Sequence, residues 1–556
     1  MKAEFFKDQI KITGSGIKLL ALKARLNEVI NGQATSKGGA ILLPSSALAS
    51  VAHLLNSELE KSPMLTDKVG CFDGHKDART LALDRIESDS NTDLPKEWLE
   101  ILDPPQASAV SAMVTSSLLG LCLFDEQGSG KTVMTIAAFD ILKERGDVDA
   151  MIVVCPKSMV NEWPADITKF LPEKYSVTIA EGNRHQKYQD AFSEFDVLVT
   201  NYEGVGAMIM PLLSRVKQKR VLLVVDESYY LKNENSVRSE YSGRLREGCQ
   251  KCFVLCGTPA PNSAHDLINQ FNLADLGYTF GGFKKSSDAS DDWEKISSLV
   301  DSRGMLIRRL KEDILSHVPE KQFYVHRVAL EGKQAVMYEK ARHELELTLR
   351  QLDNQTFRKS LASYFQRRAA LLQICSSPEL LDPTITEPSI KFKTLDKLLS
   401  DLISEGRKVV LWSFYKQSLL AIESRYPQYR PVRVDGSVKA SERRQAVKEF
   451  QADPTRMLFI GNPAAAGAGI TLHASYDAIY YSYSNQAAHY LQSLDRIHRR
   501  GQVSDEVNYH LLVCEGTIEE TEIIRLRGKE IQQHSLLGDH IKWPSGLDDA
   551  LAELNS

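Results

Sequence analysis

Cysteine is scarce: eight in 556 residues. So sparse a set argues against a disulfide framework and points to a reducing compartment. Cys249 and Cys252, with Cys256 nearby, look like half a zinc site, yet no second pair follows at suitable spacing. Cys252 and Cys256 instead bound an apolar run, Cys252-Phe253-Val254-Leu255-Cys256, and read as buried strand residues. An excess of positive charge is also lacking. The net charge of −5 gives no global basic field, so a nucleic-acid site would be a local patch. No Lys/Arg block resembles a nuclear signal. No apolar run is long enough to span a membrane, and Met1-Lys2-Ala3-Glu4-Phe5 lacks the apolar core of a signal peptide. No membrane partner is expected.

What is present is ordinary globular material, 43% hydrophobic and 25% charged, in a chain too long for one core. Residues 1 to about 95 carry no chemical motif. The polar stretch Glu87 to Asp93 reads as a linker. From Leu102 onward come short apolar runs: Leu118–Phe124, Met151–Cys155, Asp196–Thr200, Val221–Val225 and Cys252–Cys256. Most precede a helical pattern, which implies a parallel sheet with ligands at the carboxyl ends of its strands.

The first run leads into Asp125-Glu126-Gln127-Gly128-Ser129-Gly130-Lys131-Thr132, and a helical pattern follows. Strand, tight loop and helix in that order aim backbone N–H groups at a phosphate. Gly128 and Gly130 allow close approach, Lys131 supplies charge for the outer phosphates, and the Thr132 hydroxyl can ligate Mg²⁺. Asp125 stands where the P-loop pattern has its first Gly; a Gly-rich turn with a chance Lys-Thr is the competing reading. Val221–Val225 leads into Asp226-Glu227-Ser228-Tyr229. Of such a pair, the first carboxylate can hold Mg²⁺ and the second can activate water. Gly257-Thr258-Pro259 follows the next strand as a tight turn.

Residues 331 to about 380 read as helical, with Arg350, Arg358, Lys359, Arg367 and Arg368 facing either a phosphate backbone or solvent. A second alternating block starts near Lys391, with strands at Lys408–Ser413, Met457–Ile460 and Ala478–Tyr481. Its loop from Ala464 to Leu472 contains Gly467, Gly469 and Thr471. A late helix is expected to carry Gln492 to Gln502, with Arg496 and Arg499 on one face. A basic surface helix is the competing reading there.

Taken together, residues 102 to 535 resemble the SWI/SNF-like branch of superfamily-two helicases, the duplex-DNA translocases. Pro104-Pro105-Gln106 looks like the glutamine motif. Asp125 to Thr132 looks like the first motif, initial Asp included, and Val153 to Lys157 with Trp163 like the next. Arg308-Arg309-Leu310-Lys311 to Pro319, Leu372 to Pro378, and Val434-Asp435-Gly436-Ser437 with Arg443 resemble branch-specific segments. Asp495-Arg496-Ile497-His498-Arg499-Arg500-Gly501-Gln502 is the most telling match. Tyr229 stands where the family usually has His, Ser484 (before Asn485) where Trp is common, and Asp103 where Arg is common.

The resemblance implies an α/β fold of two RecA-like parallel-sheet lobes, with helical insertions and a small N-terminal accessory region. The expected bounds are 1–95 accessory, 96–330 first lobe, 331–390 helical insertion, 391–535 second lobe and 536–556 tail. ATP would lie between the lobes. Gln106 would recognise adenine; Gly128, Ser129, Gly130, Lys131, Thr132 and Gly469 would bind the nucleotide. Thr132 and Asp226 would hold Mg²⁺, Glu227 would orient water, and Arg499 with Arg496 would be arginine fingers. Lys157, Thr200, Asn201 and Ser437 are the candidate DNA contacts. The expected activity is an ATP-dependent, DNA-stimulated translocase on double-stranded DNA, gripping phosphates, with forked DNA a further substrate. A strand-separating DNA or RNA helicase is the alternative, and a nucleic-acid-binding module with a degenerate motor the third reading. With no chromatin-reading, zinc or nuclease module recognisable, a compact bacterial or viral protein of the cytoplasm or host cytosol is expected.

Overall fold

The computed structural model describes residues 1–534 apart from 7–8, 15, 31, 45–46, 57–58, 90–92, 258, 261–262, 287–288, 312–318, 467–469, 484–486 and 500. Thr258, Gly467, Gly469, Ser484, Asn485, Arg500 and the expected C-terminal tail therefore lie outside the described residues. The chain divides into two units, Met1–Ile314 and Leu315–Ser556. Among the described residues no helix is long and apolar enough to cross a membrane.

The first unit opens with a small sheet where the sequence shows only short amphipathic pieces. Its strands are β1 (Lys2–Phe6), β2 (Gln9–Thr13), β3 (Thr35–Lys37), β4 (Ala40–Pro44) and β5 (Glu60–Lys61). They pair in the order β3-β4-β2-β1-β5, antiparallel except β1 with β5. Alternation explains why they fold so. Ile10 and Ile12 on β2 point inward, against Leu26, Ile41 and Val51. The 25-residue helix Pro63–Glu87 joins this sheet to the rest of the unit. Its first half, with Leu65, Val69 and Phe72, belongs to the small core; Ala78 and Ala82 belong to the main core.

The main sheet of the first unit is wholly parallel. Its strands are β6 (Gly120–Leu123), β7 (Ala150–Cys155), β8 (Val177–Ala180), β9 (Val197–Asn201), β10 (Val221–Asp226), β11 (Lys251–Leu255) and β12 (Leu306–Ile307). The order is β12-β6-β11-β10-β7-β9-β8. β6, β7, β10 and β11 are buried at every residue, as parallel strands covered on both faces are. Gly120 is needed for this packing, since a Cβ there would stand 2.1 Å from the Cys252 carbonyl oxygen. All five expected runs are strands; β8 and β12 were not expected.

The second unit carries another parallel sheet: β13 (Glu320–Val328), β14 (Val409–Trp412), β15 (Val432–Val434), β16 (Leu458–Gly461), β17 (Asp477–Tyr480) and β18 (Glu506–Cys514). The order is β13-β18-β17-β14-β16-β15. This corrects the expectation that the first lobe runs to residue 330, because β13 pairs with β18 along its length. The helices expected at 331–390 include Gly332–Arg350 and Leu361–Ser376. They share a core with Ile518, at the start of the closing helix Ile518–His534. Two fully buried ion pairs bind this layer: Arg368 to Glu522 at 2.6 Å and Lys391 to Glu519 at 2.7 Å. Arg368 thus serves the interior rather than solvent or a phosphate backbone. Arg350 pairs with Glu346 one turn away.

Candidate active site

The loop after β6 turns sharply into the helix Lys131–Glu144. Gly128 and Gly130 stand at φ 89 and 90, a region costly for any side chain. A Cβ on Gly130 would meet the Gln106 amide nitrogen at 2.3 Å. Gln106 instead donates to the Ser129 carbonyl at 2.8 Å and accepts from the Asp103 N–H at 3.1 Å. It therefore ties the loop to the helix Pro104–Met113, which Asp103 caps. One donor hydrogen and one lone pair of its amide remain. Lys131 Nζ donates to the carbonyls of Asp125 and Glu126, at 2.8 and 3.0 Å. Burial lowers its pKa below the ordinary value, against the pull of the Glu227, Asp125 and Asp226 carboxylates.

The acidic pair lies at the end of β10. Burial raises the Asp226 pKa; bonds from Trp163 Nε1 at 2.9 Å and the Glu227 N–H at 2.9 Å, with the Lys131 charge, oppose it. Each Asp226 oxygen keeps a lone pair for a cation or its water. Glu227 sits at φ 51, an unusual left-handed conformation for a non-glycine residue. The buried Tyr202 hydroxyl donates to the carbonyls of both Asp226 and Glu227. Gln127 donates to Glu227 Oε1 at 3.4 Å. The turn at Gly257 approaches so closely that a Cβ there would lie 2.5 Å from Gln127.

Several of these partners escape a sequence reading. Gln270, fully buried, accepts from Ser228 Oγ at 2.5 Å and donates to the Pro259 carbonyl at 2.6 Å. It joins the acidic loop to the Gly257 turn from 42 residues away. Tyr229 packs against Tyr230, with ring centroids 4.5 Å apart, and Tyr230 against Tyr202. Arg309 holds Asp125, which explains an acid in place of the P-loop glycine. No short-range pattern reports contacts of such separation; the pairing of two adjacent arginines with a buried acid is the only signal.

In the second unit, the helix Ala487–Leu494 ends before the arginines, correcting the expectation of one helix to Gln502. Gln502 Nε2 donates to the carbonyls of Ser475 and Ile497, and Gly501 takes φ 92, so the chain turns instead. Arg496 and Arg499 still converge. Their NH1 groups donate to the Ile470 carbonyl at 3.3 and 3.0 Å, and Arg499 also reaches Thr471 Oγ1 at 2.9 Å. Burial lowers the Arg499 pKa below its ordinary value, against the nearby Asp495.

The candidate DNA residues differ in access. Lys157 is exposed at the end of β7, and Ser437 is exposed with its hydroxyl bonded to Asp435 at 2.5 Å. Asn201 is partly buried, bonded to Glu203 and Lys187. Thr200 is fully buried and its hydroxyl donates to the Ala180 carbonyl at 3.3 Å. It positions the strand end and offers no surface to a duplex, correcting that assignment.

The loop suits a nucleotide and Mg²⁺. The helix after Gly130 has no side-chain cap, so its first N–H groups face the loop. The Ser129 hydroxyl is buried without a hydrogen-bond partner. Thr132 and Asp226 provide the hard oxygen ligands that Mg²⁺ takes.

Among characterised proteins, the chain is 28% identical over 465 residues to the CHD3-type chromatin-remodeling factor CHR7 of Arabidopsis thaliana, covering 78% of this chain and 37% of that one. It is 28% identical over 475 residues to the ISWI chromatin-remodeling complex ATPase ISW1 of Saccharomyces cerevisiae, covering 78% and 41%. It thus spans less than half the length of these two curated relatives. A solved Sulfolobus solfataricus SWI2/SNF2 ATPase core in complex with dsDNA is 23% identical, covering 82% of this chain and 95% of that one, with a TM-score of 0.36. Residues 390–501 match the helicase conserved C-terminal domain. Residues 51–380, more than half of the chain, match the SNF2-related domain, and the protein belongs to that family.

Proposed function

We propose that this protein hydrolyses ATP with Mg²⁺, is stimulated by DNA, and translocates on double-stranded DNA to remodel it or the complexes on it. The observation that carries the reading is the grouping of Lys131, Asp226 and Glu227 at the carboxyl ends of β6 and β10, where Lys131 feels both carboxylates. In this reading Lys131 and the helix N-terminus take the phosphates. Thr132 and Asp226 hold Mg²⁺, and Glu227 orients the attacking water. Gln106 reads the adenine edge with the donor and acceptor it retains, and Gly469 joins the nucleotide contacts. Arg499, with Arg496, supplies the cation that stabilises charge on the transferred phosphoryl group. Lys157, Asn201 and Ser437 touch duplex phosphates.

The test is ATP turnover without nucleic acid, then with single-stranded DNA, duplex, fork and RNA, beside triplex and strand displacement. Duplex DNA should stimulate most, and triplex displacement should proceed without strand separation. Efficient unwinding with no triplex displacement would overturn the reading. Arg499→Ala should lower DNA-saturated turnover by about 10³, the usual scale for an arginine finger, with duplex affinity little changed.

A further inference from the structure

We propose that residues 308–311 form a strap that carries the state of the phosphate loop into the segment joining the two units, with Arg309 as its positioning residue. The inference rests on the proposed ATP-driven activity.

The strap begins where β12 ends, and the Phe124 N–H donates to the Ile307 carbonyl at 2.8 Å. Next, the Arg308 guanidinium reaches the carbonyls of Phe124 and Gly257. Arg309 then grips the Asp125 carboxylate three ways: its N–H at 2.9 Å and Nε at 3.1 Å to Oδ1, and a terminal nitrogen to Oδ2. The same guanidinium reaches the Pro105 carbonyl, beside Gln106. Glu126 is held both ways, its N–H donating to the Arg309 carbonyl at 3.2 Å and its carboxylate accepting from the Lys311 N–H at 2.8 Å. Only a few residues later the first unit ends, at Ile314.

Asp125 and Glu126 are therefore shared. Their carbonyls hold Lys131 Nζ, and their carboxylates hold the strap. A phosphate that draws Lys131 away removes a donor from both carbonyls, so the two residues bearing the strap must readjust. A planar guanidinium, engaged by two edges, transmits such a change in orientation; a point charge does not. The competing role for Arg309 is only to neutralise Asp125, which is fully buried.

Two variants separate these roles. Arg309→Lys keeps the charge opposite Asp125 and removes the fork. Asp125→Asn with Arg309→Gln removes both charges, so neither is left buried alone. ATP consumed per triplex strand displaced should rise at least about fivefold in both, the lower bound for coupling between sites. A wild-type ratio in either folded variant overturns the proposal, as does loss of ATP binding alone as the whole defect. A dye pair with one fluorophore in each unit reads the coupling without DNA. A non-hydrolysable ATP analogue should change energy transfer in wild type and leave Arg309→Lys unmoved. That signal with no triplex displacement by wild type would sink the translocase reading and leave the strap standing; an equal response in both proteins would sink the strap.

Discussion

The two parallel sheets finish their strands differently. In the first unit, charged side chains crowd the carboxyl ends: Asp125, Glu126, Lys131, Asp226, Glu227 and, from β12, Arg309. In the second, the ends of β14, β16 and β17 carry Ser413, Asn462 and Ser482, bonded to one another or to neighbouring backbone. Its fully buried ion pairs lie elsewhere, Lys391 with Glu519 and Arg368 with Glu522 among the helices. Charge at the strand ends of the first sheet gathers around the phosphate loop, where the proposed function puts its ligand. Those two fully buried ion pairs of the second unit hold helices in place. Substitutions of these groups should therefore affect chemistry in the first unit and stability in the second, where the buried pairs are distinct from Arg496 and Arg499 of the proposed ATP site.

The largest expected effect tests the second unit. Glu522→Gln leaves the buried Arg368 facing a neutral amide and should cost about 3–5 kcal/mol of stability. Denaturant unfolding measures it; a loss below 1 kcal/mol would place the pair outside the framework. Next comes Lys131→Ala, which removes a phosphate-facing donor and should lower turnover by about 10²–10³ while the unfolding midpoint barely moves. A midpoint falling as far as in Glu522→Gln would erase the contrast. Gln270→Leu sits between the two classes. It breaks the bridge from Ser228 to Pro259 and should cost about 1–3 kcal/mol, with turnover falling as well. Unchanged turnover would make Gln270 packing alone.

A pH-dependent effect concerns His75, whose Nδ1 accepts from the Leu119 N–H at 3.1 Å. Burial, helped by Arg246 and Lys251, lowers its pKa from 6.5 to about 3. The unfolded chain thus binds this proton at higher pH than the folded one. Its contribution is complete above about pH 6.5 and is lost as pH falls toward 3, by at most about 1.4 kcal/mol per pH unit. His75→Gln should flatten that slope in denaturant unfolding, and an identical slope would remove His75 from the acid response.

Much of the first unit is legible in its sequence because buried parallel strands are continuous apolar runs. β6, β7, β9, β10 and β11 show as such, and the phosphate loop and acidic pair follow two of them. β12 is too short to carry a pattern, and β13 alternates weakly because much of it is exposed. The small N-terminal sheet hides for the same reason, its strands being short and half-covered. Arg309 on Asp125 and Gln270 on Ser228 join residues 184 and 42 positions apart, where no local periodicity reports a contact. The helix expected through Arg499 stops at Leu494 because Gln502 and Gly501 close a turn, a competition of hydrogen bonds that residue spacing does not reveal.

The central claim is that duplex DNA drives ATP hydrolysis through Glu227. ATP turnover of wild type and Glu227→Gln, each with and without duplex DNA, tests it most directly. The account predicts duplex-stimulated turnover in wild type, and in Glu227→Gln retained ATP binding with turnover lower by about 10² or more. Wild-type turnover and stimulation in Glu227→Gln would contradict it.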